Sequence, residues 1–198
     1  MGHAGAAAAA VRYLGPGPVE PLPRPELRCV REDERAPVGQ AEFRRVLGSF
    51  ASGVTVITAP GTEGGAGPAG FACQSFSSLS LDPALVCFMV GRTSTTWPRI
   101  ARAGVFCVNV LSAGQDELCR RFGAPGADRF AGVAYDPAPV SGSPRLAGAA
   151  AWIDCTVHAV HTGGDHLIVV GRVDALGADG TAQPLLFHRG RFARLADG

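Results

Sequence analysis

The chain has 198 residues, enough for one domain with a hydrophobic core, and 46% of them are hydrophobic. Its formal net charge of +1 argues against attraction of the whole molecule to nucleic acid or anionic lipid. No apolar run approaches the ~20 residues that a membrane-spanning helix needs. These features predict a globular cytoplasmic protein whose partners are neither nucleic acids nor membranes.

The cysteines predict a reducing compartment. Six are scattered along the chain without a C-x-x-C pair, and several lie inside apolar runs. They are therefore expected to be small buried hydrophobic residues. The spacing of Cys155, His158 and His161 suggests a metal site, but in an alternating strand Cys155 and His158 would point to opposite faces. We predict that no metal is bound.

Residues 1–39 differ from the rest of the chain. They combine an alanine run, six prolines and a charged cluster at residues 31–35. Such a segment buries too little apolar surface to fold alone, so it is either a flexible tail or an arm packed on the main body. The sequence leaves both possibilities open. The folded domain is predicted to cover residues 40–198.

The domain is predicted to begin with a short amphipathic helix. Phe43, Val46, Leu47 and Phe50 have the i, i+3, i+4, i+7 spacing of one helix face, and Gly53 is expected to end the helix. Strands are then predicted at 54–58, 70–81 and 85–90, with a glycine-rich hairpin loop at 60–68 between the first two. The third strand is continuously apolar, so we expect both of its faces to be buried.

Two further helices have recognisable end signals. Pro98 lies near the first turn of a short helix, and Gly104 lies just past its end. Ser112 and Gln115 have the spacing of a capping box before a second helix that Gly123 ends. That helix has acidic residues in its first turn and arginines in its last, as the helix dipole favours.

The second half of the chain predicts mainly strands, at 151–160, 166–176 and 185–195. About six strands with a few short helices favour a mainly β fold, an antiparallel six-stranded barrel, because closure removes exposed strand edges. A doubly wound fold is disfavoured, since strands do not alternate with long helices. No G-x-G-x-x-G stands between a strand and a helix, so a dinucleotide would have to be bound by other means.

Two stretches predict contacts to a planar polar ligand or a phosphate. Residues 70–83 are rich in small and hydroxyl residues, which offer backbone N–H groups and short donors, although a serine-rich bulge or turn has the same composition. Residues 92–98 bring a guanidinium, several hydroxyls and a helix N-terminus together, as in a mononucleotide phosphate site. Simple N-capping by Ser94 or Thr96 is the alternative.

A third stretch, residues 163–166, predicts a glycine turn that places Asp165 and His166 at the mouth of a strand. The imidazole there could bond a nicotinamide amide or a pyrophosphate oxygen, or it could simply be solvated. No G-x-S-x-G or H-E-x-x-H motif is present, and Cys73 has no evident histidine partner.

In order and spacing, these stretches resemble the flavin-reductase-like family, whose fold is the FMN-binding split barrel. The resemblance covers the chain from Phe43 to Leu195. Within the family, the reductase subunits of two-component flavin-dependent monooxygenases are the most similar. The segments that carry the resemblance are residues 50–57, 70–83, 106–111, 128–132, 163–166 and 184–190.

The resemblance implies a set of site residues. The segment that embraces the flavin ring and ribityl chain corresponds to Ala72, Cys73, Gln74, Ser75, Phe76 and Ser78. The segment that takes the flavin phosphate corresponds to Arg92, Ser94 and Thr96. A residue lining the same cleft corresponds to Asn109. The G-D-H signature on the nicotinamide side corresponds to Gly164, Asp165 and His166. A C-terminal aromatic residue that borders the site corresponds to Phe192.

The resemblance also implies an activity, NADH- or NADPH-dependent reduction of FMN or FAD. The reduced flavin would diffuse to a partner oxygenase, and the reductase would be a homodimer with Trp152 and the apolar barrel face as candidate contacts. The cofactors carry the chemistry, so His166 is assigned an orienting role and no covalent catalyst is expected. Two other functions stay open: a flavoprotein that retains FMN as a carrier, sensor or oxygen-using enzyme, and a non-catalytic partner-binding domain.

Overall fold

The computed structural model describes residues 38–61, 67–126 and 128–196. Most of the predicted N-terminal extension and the tip of the predicted hairpin loop lie outside these residues. The described part is mainly β with three short helices, as the sequence predicts. The helices are α1, Gln40–Leu47; α2, Trp97–Ala103; and α3, Asp116–Gly123. None of them is long and apolar enough to cross a membrane.

The helix ends follow the sequence signals with two corrections. Gly104 ends α2 with a left-handed φ of 68°, as predicted, whereas α1 ends at Gly48, before the predicted Gly53. The capping box is half formed: Gln115 Oε1 accepts a bond from the Ser112 N–H at 3.0 Å. No hydroxyl caps α3, which begins at Asp116. The glutamine therefore organises the turn before the helix rather than its first turn.

The largest sheet contains seven antiparallel strands in the order β3-β2-β6-β9-β10-β5-β4. Its strands are β2, Thr55–Ala59; β3, Ala69–Cys73; β4, Ser77–Leu81; β5, Ala84–Gly91; β6, Val105–Val110; β9, Ala151–Gly163; and β10, His166–Ala178. Two small sheets complete the fold, β1-β11-β12 and the hairpin β7-β8. Their strands are β1, Ser52–Gly53; β7, Tyr135–Pro137; β8, Pro144–Leu146; β11, Leu186–His188; and β12, Arg191–Ala193.

The prediction of a six-stranded closed barrel is corrected. The main sheet has seven strands, because the predicted strand 70–81 bends at Gln74 and continues as β4 on the other end of the sheet. No backbone pairing closes the sheet within the described residues. The sheet is nevertheless curled, because residues 74–76 alone join β3 at one end of the sheet to β4 at the other, and Cys73 Sγ lies 3.9 Å from Met89 O. This contact brings the end of β3 against β5.

The long hairpin β9–β10 forms the centre of the sheet. Gly163 pairs with His166, so the connection is a two-residue turn, and Gly164 adopts φ 66° there as the sequence predicts. Cys155 is buried on β9 while His158 is exposed, so these side chains do point to opposite faces. Within the described residues, no cluster of potential metal ligands is found.

The main core lies inside the curl of the sheet. Phe88 packs edge-on against Trp97 and Phe106, with ring centroids 6.2 and 5.2 Å apart. The prediction that both faces of β5 are buried is wrong: its burial alternates, and Met89 is 39% exposed. The sequence of β5 is continuously apolar because one face of the strand packs against this core and the other face borders a cavity. Burial raises the pKa of the Cys107 thiol to about 12, so this thiol is a neutral core residue at physiological pH.

Candidate functional site

The three predicted stretches, residues 70–83, 92–98 and 163–166, all contribute to one cavity, which we call the strand-end cavity. It has a volume of about 380 Å³. The end of β3, the end of β5, the loop after β5 and the start of β10 form its walls. The lining residues are Phe71, Ala72, Cys73, Gln74, Ser75, Met89, Val90, Gly91, Ser94 and His166. The strands that carry the first and third stretches are thus on the same side of the molecule.

Backbone pairing explains why these segments converge. His166 pairs with Gly91, which places the first residue of β10 beside the last residue of β5. The Arg92 N–H donates to Asp165 O at 3.0 Å and joins the turn to the following loop. Ser75 holds the end of β3 against Met89. The cavity is therefore built by ordered strand ends rather than by long loops.

His166 and Asp165 form a short pair at the mouth of the cavity, with Nδ1 and Oδ1 2.7 Å apart. An ionised carboxylate can only accept hydrogen bonds, so Nδ1 carries the proton and Nε2 is left for another partner. Nε2 lies near Gly91, because a Cβ placed on that glycine would be 4.0 Å from it. The hydrogen bond from His166 holds the pKa of the Asp165 carboxyl below its usual value. Both side chains are solvent-accessible.

A second cavity of about 300 Å³ lies on the other side of the same strand end. It shares Ala72, Cys73 and Gln74 with the strand-end cavity. Phe187 and Phe192 supply an apolar wall, with ring centroids 5.4 Å apart. The Arg120 guanidinium lies over the Phe192 ring, 5.0 Å from its centroid, a distance typical of a cation–π contact. The predicted C-terminal aromatic therefore borders this second space.

Several predicted residues do not line either cavity. Phe76 packs against the core and Ser78 is exposed on β4, because the chain bends between β3 and β4. Gly164 and Asp165 lie in the turn beside His166 and do not line the wall. Arg92 contributes its backbone N–H, as described above. Ser94 lines the strand-end cavity and also caps α2, accepting the Trp97 N–H at 3.2 Å.

Two predicted residues serve the fold instead of the cavity. Asn109 is fully buried beneath β8, and its amide donates to Val56 O and Pro144 O while its Oδ1 accepts the Leu146 N–H at 2.7 Å. The placement of Asn109 in the cleft is therefore corrected. Thr96 Oγ1 accepts a bond from Arg129 at 2.9 Å, and Thr96 does not line the strand-end cavity.

Sequence reasoning missed the contribution of β5. Met89, Val90 and Gly91 all line the strand-end cavity, yet the strand was expected to be buried on both faces. Gly91 stands directly before the predicted phosphate segment, and that adjacency was the available signal. A larger cavity of about 590 Å³ between α2 and the segment containing Arg129 was also not predicted. It is bounded by Gly67 and Gly126, which adjoin undescribed residues.

Comparisons with known proteins define the class of this chain. The profile of the Flavin reductase like domain matches residues 47–196, and the chain belongs to that family. It is 49% identical over 150 residues to a flavin-dependent monooxygenase reductase subunit, HsaB, of Rhodococcus jostii. That alignment covers 76% of this chain and 75% of the relative.

Solved structures agree with this assignment. Nitrilotriacetate monooxygenase component B of Mycobacterium thermoresistibile superposes with a TM-score of 0.75 at 48% identity, over 79% of this chain and 87% of the other. The NADH:FAD oxidoreductase SgcE6 of Streptomyces globisporus, solved with NAD and FAD fragments, gives a TM-score of 0.74 at 36% identity. That match covers 86% of this chain and 98% of the other. The fold and the family are thus established together.

Proposed function

We propose that this chain is an NAD(P)H-dependent flavin reductase that supplies reduced FMN or FAD to a partner flavin-dependent monooxygenase. The observation that carries the proposal is the strand-end cavity, which is lined by β3, the Ser94 loop and His166. The chain that contains this cavity belongs to the flavin reductase family. The names of the relatives, which include flavin reductases and monooxygenase reductase subunits, support the reaction and the kind of partner.

The lining of the cavity fits a planar ring with a polar edge. Ala72, Ser75 and Gly91 are small and leave room along the strand ends, while Met89 supplies an apolar surface. Gln74 and Ser94 supply polar groups at the margin. Sites for aromatic cofactors commonly combine an apolar lining with a few placed polar groups. The residues present therefore suit a flavin ring.

The reduced nicotinamide supplies a hydride and the flavin accepts it, so the protein needs no covalent catalyst. The role of the protein is to bind the nicotinamide and the flavin and to hold their reacting atoms next to each other. Asp165 fixes the proton of His166 on Nδ1, and Nε2 lies near Gly91, which lines the cavity. We assign His166 the role of orienting the nicotinamide through this nitrogen.

An open site supports flavin as a substrate rather than a retained cofactor. Gln74 and His166 are exposed at the margin of the cavity, and no described segment covers them. A reduced flavin could leave such a site without rearrangement of the fold and reach an oxygenase by diffusion. We further infer that the curled sheet is the split barrel of this family. The contact between Ser75 and Met89 supports that inference.

We also propose a homodimer and a cytoplasmic location. The predicted apolar face of α1 is exposed, with Phe43, Val46, Leu47 and Phe50 each at least 51% accessible. The family resemblance implies a homodimer, with Trp152 and the apolar barrel face as the contacts predicted from sequence. We propose that the second copy also covers the exposed face of α1. Five free cysteines among the described residues support a reducing compartment.

The reductase proposal is tested by following NADH and NADPH oxidation with FMN, FAD, riboflavin or no flavin. We expect steady oxidation only when flavin is added, and a protein that loses flavin on gel filtration. A yellow protein that keeps its flavin and turns over little NADH would contradict the proposal and favour a retained-flavin role. Absence of both flavin binding and NADH oxidation would leave a partner-binding domain.

A further inference from the structure

Arg129 makes four side-chain hydrogen bonds close to the strand-end cavity without lining it. Its Nε and Nη2 both donate to Ala124 O, at 3.1 and 2.9 Å. Its Nη1 donates to Gly70 O at 2.7 Å and to Thr96 Oγ1 at 2.9 Å. The planar guanidinium thus joins the end of α3, the start of β3 and the first turn of α2.

Two of these partners belong to the segments assigned to flavin. Gly70 lies on β3 two residues before Ala72, and Thr96 lies two residues after Ser94. Ala72 and Ser94 line the strand-end cavity, whereas Arg129 lines the separate cavity of about 590 Å³. Arg129 therefore acts on the strand-end cavity through its walls and does not reach a ligand there.

The bonding pattern requires an arginine. Its fixed fork can serve three acceptors on different elements at once, while lysine has a single compact ammonium group. β3 also approaches α3 closely at this point, since a Cβ on Gly70 would lie 2.8 Å from the Phe122 ring. Loss of the Nη1 bonds would remove this hydrogen-bonded link between β3 and the N-terminus of α2.

We propose that Arg129 is a positioning residue that sets the spacing between the β3 wall and the Ser94 wall of the flavin site. This inference rests on the proposed location of flavin in the strand-end cavity. The inference gives Thr96 the same positioning role, because its hydroxyl accepts the hydrogen bond through which Arg129 holds α2. Thr96 is then not a phosphate ligand.

The test compares Arg129→Ala with Arg121→Ala. Arg121 is the matched control, because its Nη1 donates to Ala131 O at 2.7 Å in the same segment, whereas the Nη1 of Arg129 donates to β3 and Thr96. The flavin dissociation constant, from quenching of FMN fluorescence, and the flavin KM are both measured below the unfolding temperature of every variant. We expect Arg129→Ala to raise both by about tenfold with kcat changed less than about twofold, and Arg121→Ala to leave both near wild type.

A second variant keeps the test decisive if Arg129→Ala fails to fold. Thr96→Val removes one acceptor at constant shape and should raise the flavin KM by about threefold. The double variant Arg129→Ala/Thr96→Val should bind flavin no more weakly than Arg129→Ala, since both substitutions break the same bond. Equal effects of Arg121→Ala and Arg129→Ala on flavin binding, or full additivity in the double variant, would overturn the inference.

The outcome is separable from that of the reductase proposal. Wild-type protein that binds FMN but does not oxidise NADH would remove the reductase activity, while the binding measurement on Arg129→Ala would still decide the positioning role. Wild-type turnover with unchanged flavin binding in Arg129→Ala and Thr96→Val would remove the positioning role alone.

Discussion

At His166, one ring nitrogen is bonded to Asp165, so the other is the nitrogen that remains for a ligand. We predict that His166→Ala raises the KM for NADH or slows hydride transfer, equivalent to roughly 1–3 kcal/mol, through loss of one orienting hydrogen bond. Steady-state and stopped-flow kinetics measure the effect. His158→Ala is the control, because His158 is exposed on β9 and lines neither cavity of the candidate site. Unchanged kinetics in His166→Ala would remove this residue from the mechanism.

Asn109 belongs to the fold rather than to the cavity, and its effect should fall on stability. Asn109→Ala would leave the buried Leu146 N–H and the carbonyls of Val56 and Pro144 without this partner. We expect the free energy of unfolding to fall by roughly 2–4 kcal/mol, measured by urea denaturation. The flavin KM of the folded variant should change by less than about twofold. A large increase in this KM at unchanged stability would instead place Asn109 in the cleft.

The same contrast shows which site residues could be predicted from sequence. The turn at residues 163–166 was predictable because a short motif fixes the local backbone, and residues 72–75 line the cavity. The ligand roles that the family resemblance implies for them stay predictions. The positions of Asn109 and Thr96 were not predictable, since their bonds reach β8 and Arg129, which are distant in sequence. From sequence alone, a polar residue in such a motif can either contact a ligand or stabilise the fold. Its hydrogen-bond partners in the folded chain distinguish the two roles.

Among the elements, the β9–β10 hairpin depends on a glycine opposite an aromatic ring. A Cβ on Gly171 would lie 2.4 Å from Cζ of Phe106, which is fully buried, and a register shift occurs between Val170 and Gly171. We predict that Gly171→Ala lowers the free energy of unfolding by roughly 1–3 kcal/mol because the ring must move within a packed core.

Thermal or urea denaturation measures this effect. Gly53→Ala is the matched control, because a Cβ at this strand glycine meets no atom within 4 Å. We expect the control to stay within about 0.5 kcal/mol of wild type. Equal stability of the two variants would show that the core around Phe106 is looser than the structure indicates.

Local signals predicted the elements better than their partners. The glycine after α2 and the turn at Gly164 were correctly identified, because their backbone conformations are dictated by a few adjacent residues. The alternation in β5 and the bend at Gln74 were missed. Both depend on the curl of the sheet, which brings Met89 against Ser75 and opens a cavity on one face of an otherwise apolar strand.

At the scale of the whole molecule, the apolar face of α1 stays exposed among the residues that the structure describes. We predict a homodimer in light scattering, and Val46→Glu combined with Phe50→Ser should shift it to monomer, because charge and polarity disfavour burial of this face. Leu81→Glu is the control, since Leu81 is an apolar residue that is 95% exposed on β4 and is not part of the α1 face. A monomeric wild-type protein would contradict the proposal and leave residues 1–37 as the candidate partner for the face.

The fold class was predictable from strand density and short helices, while the number and order of the strands required the pairing itself. The central claim is that one cavity, shared by the end of β3 and the turn before β10, receives the flavin ring. A crystal structure of the protein with bound FMN tests this most directly. The ring should contact residues 72–75 and lie on the same side as His166. A ring bound in the cavity between Arg99 and Arg129, away from residues 72–75 and His166, would contradict the account.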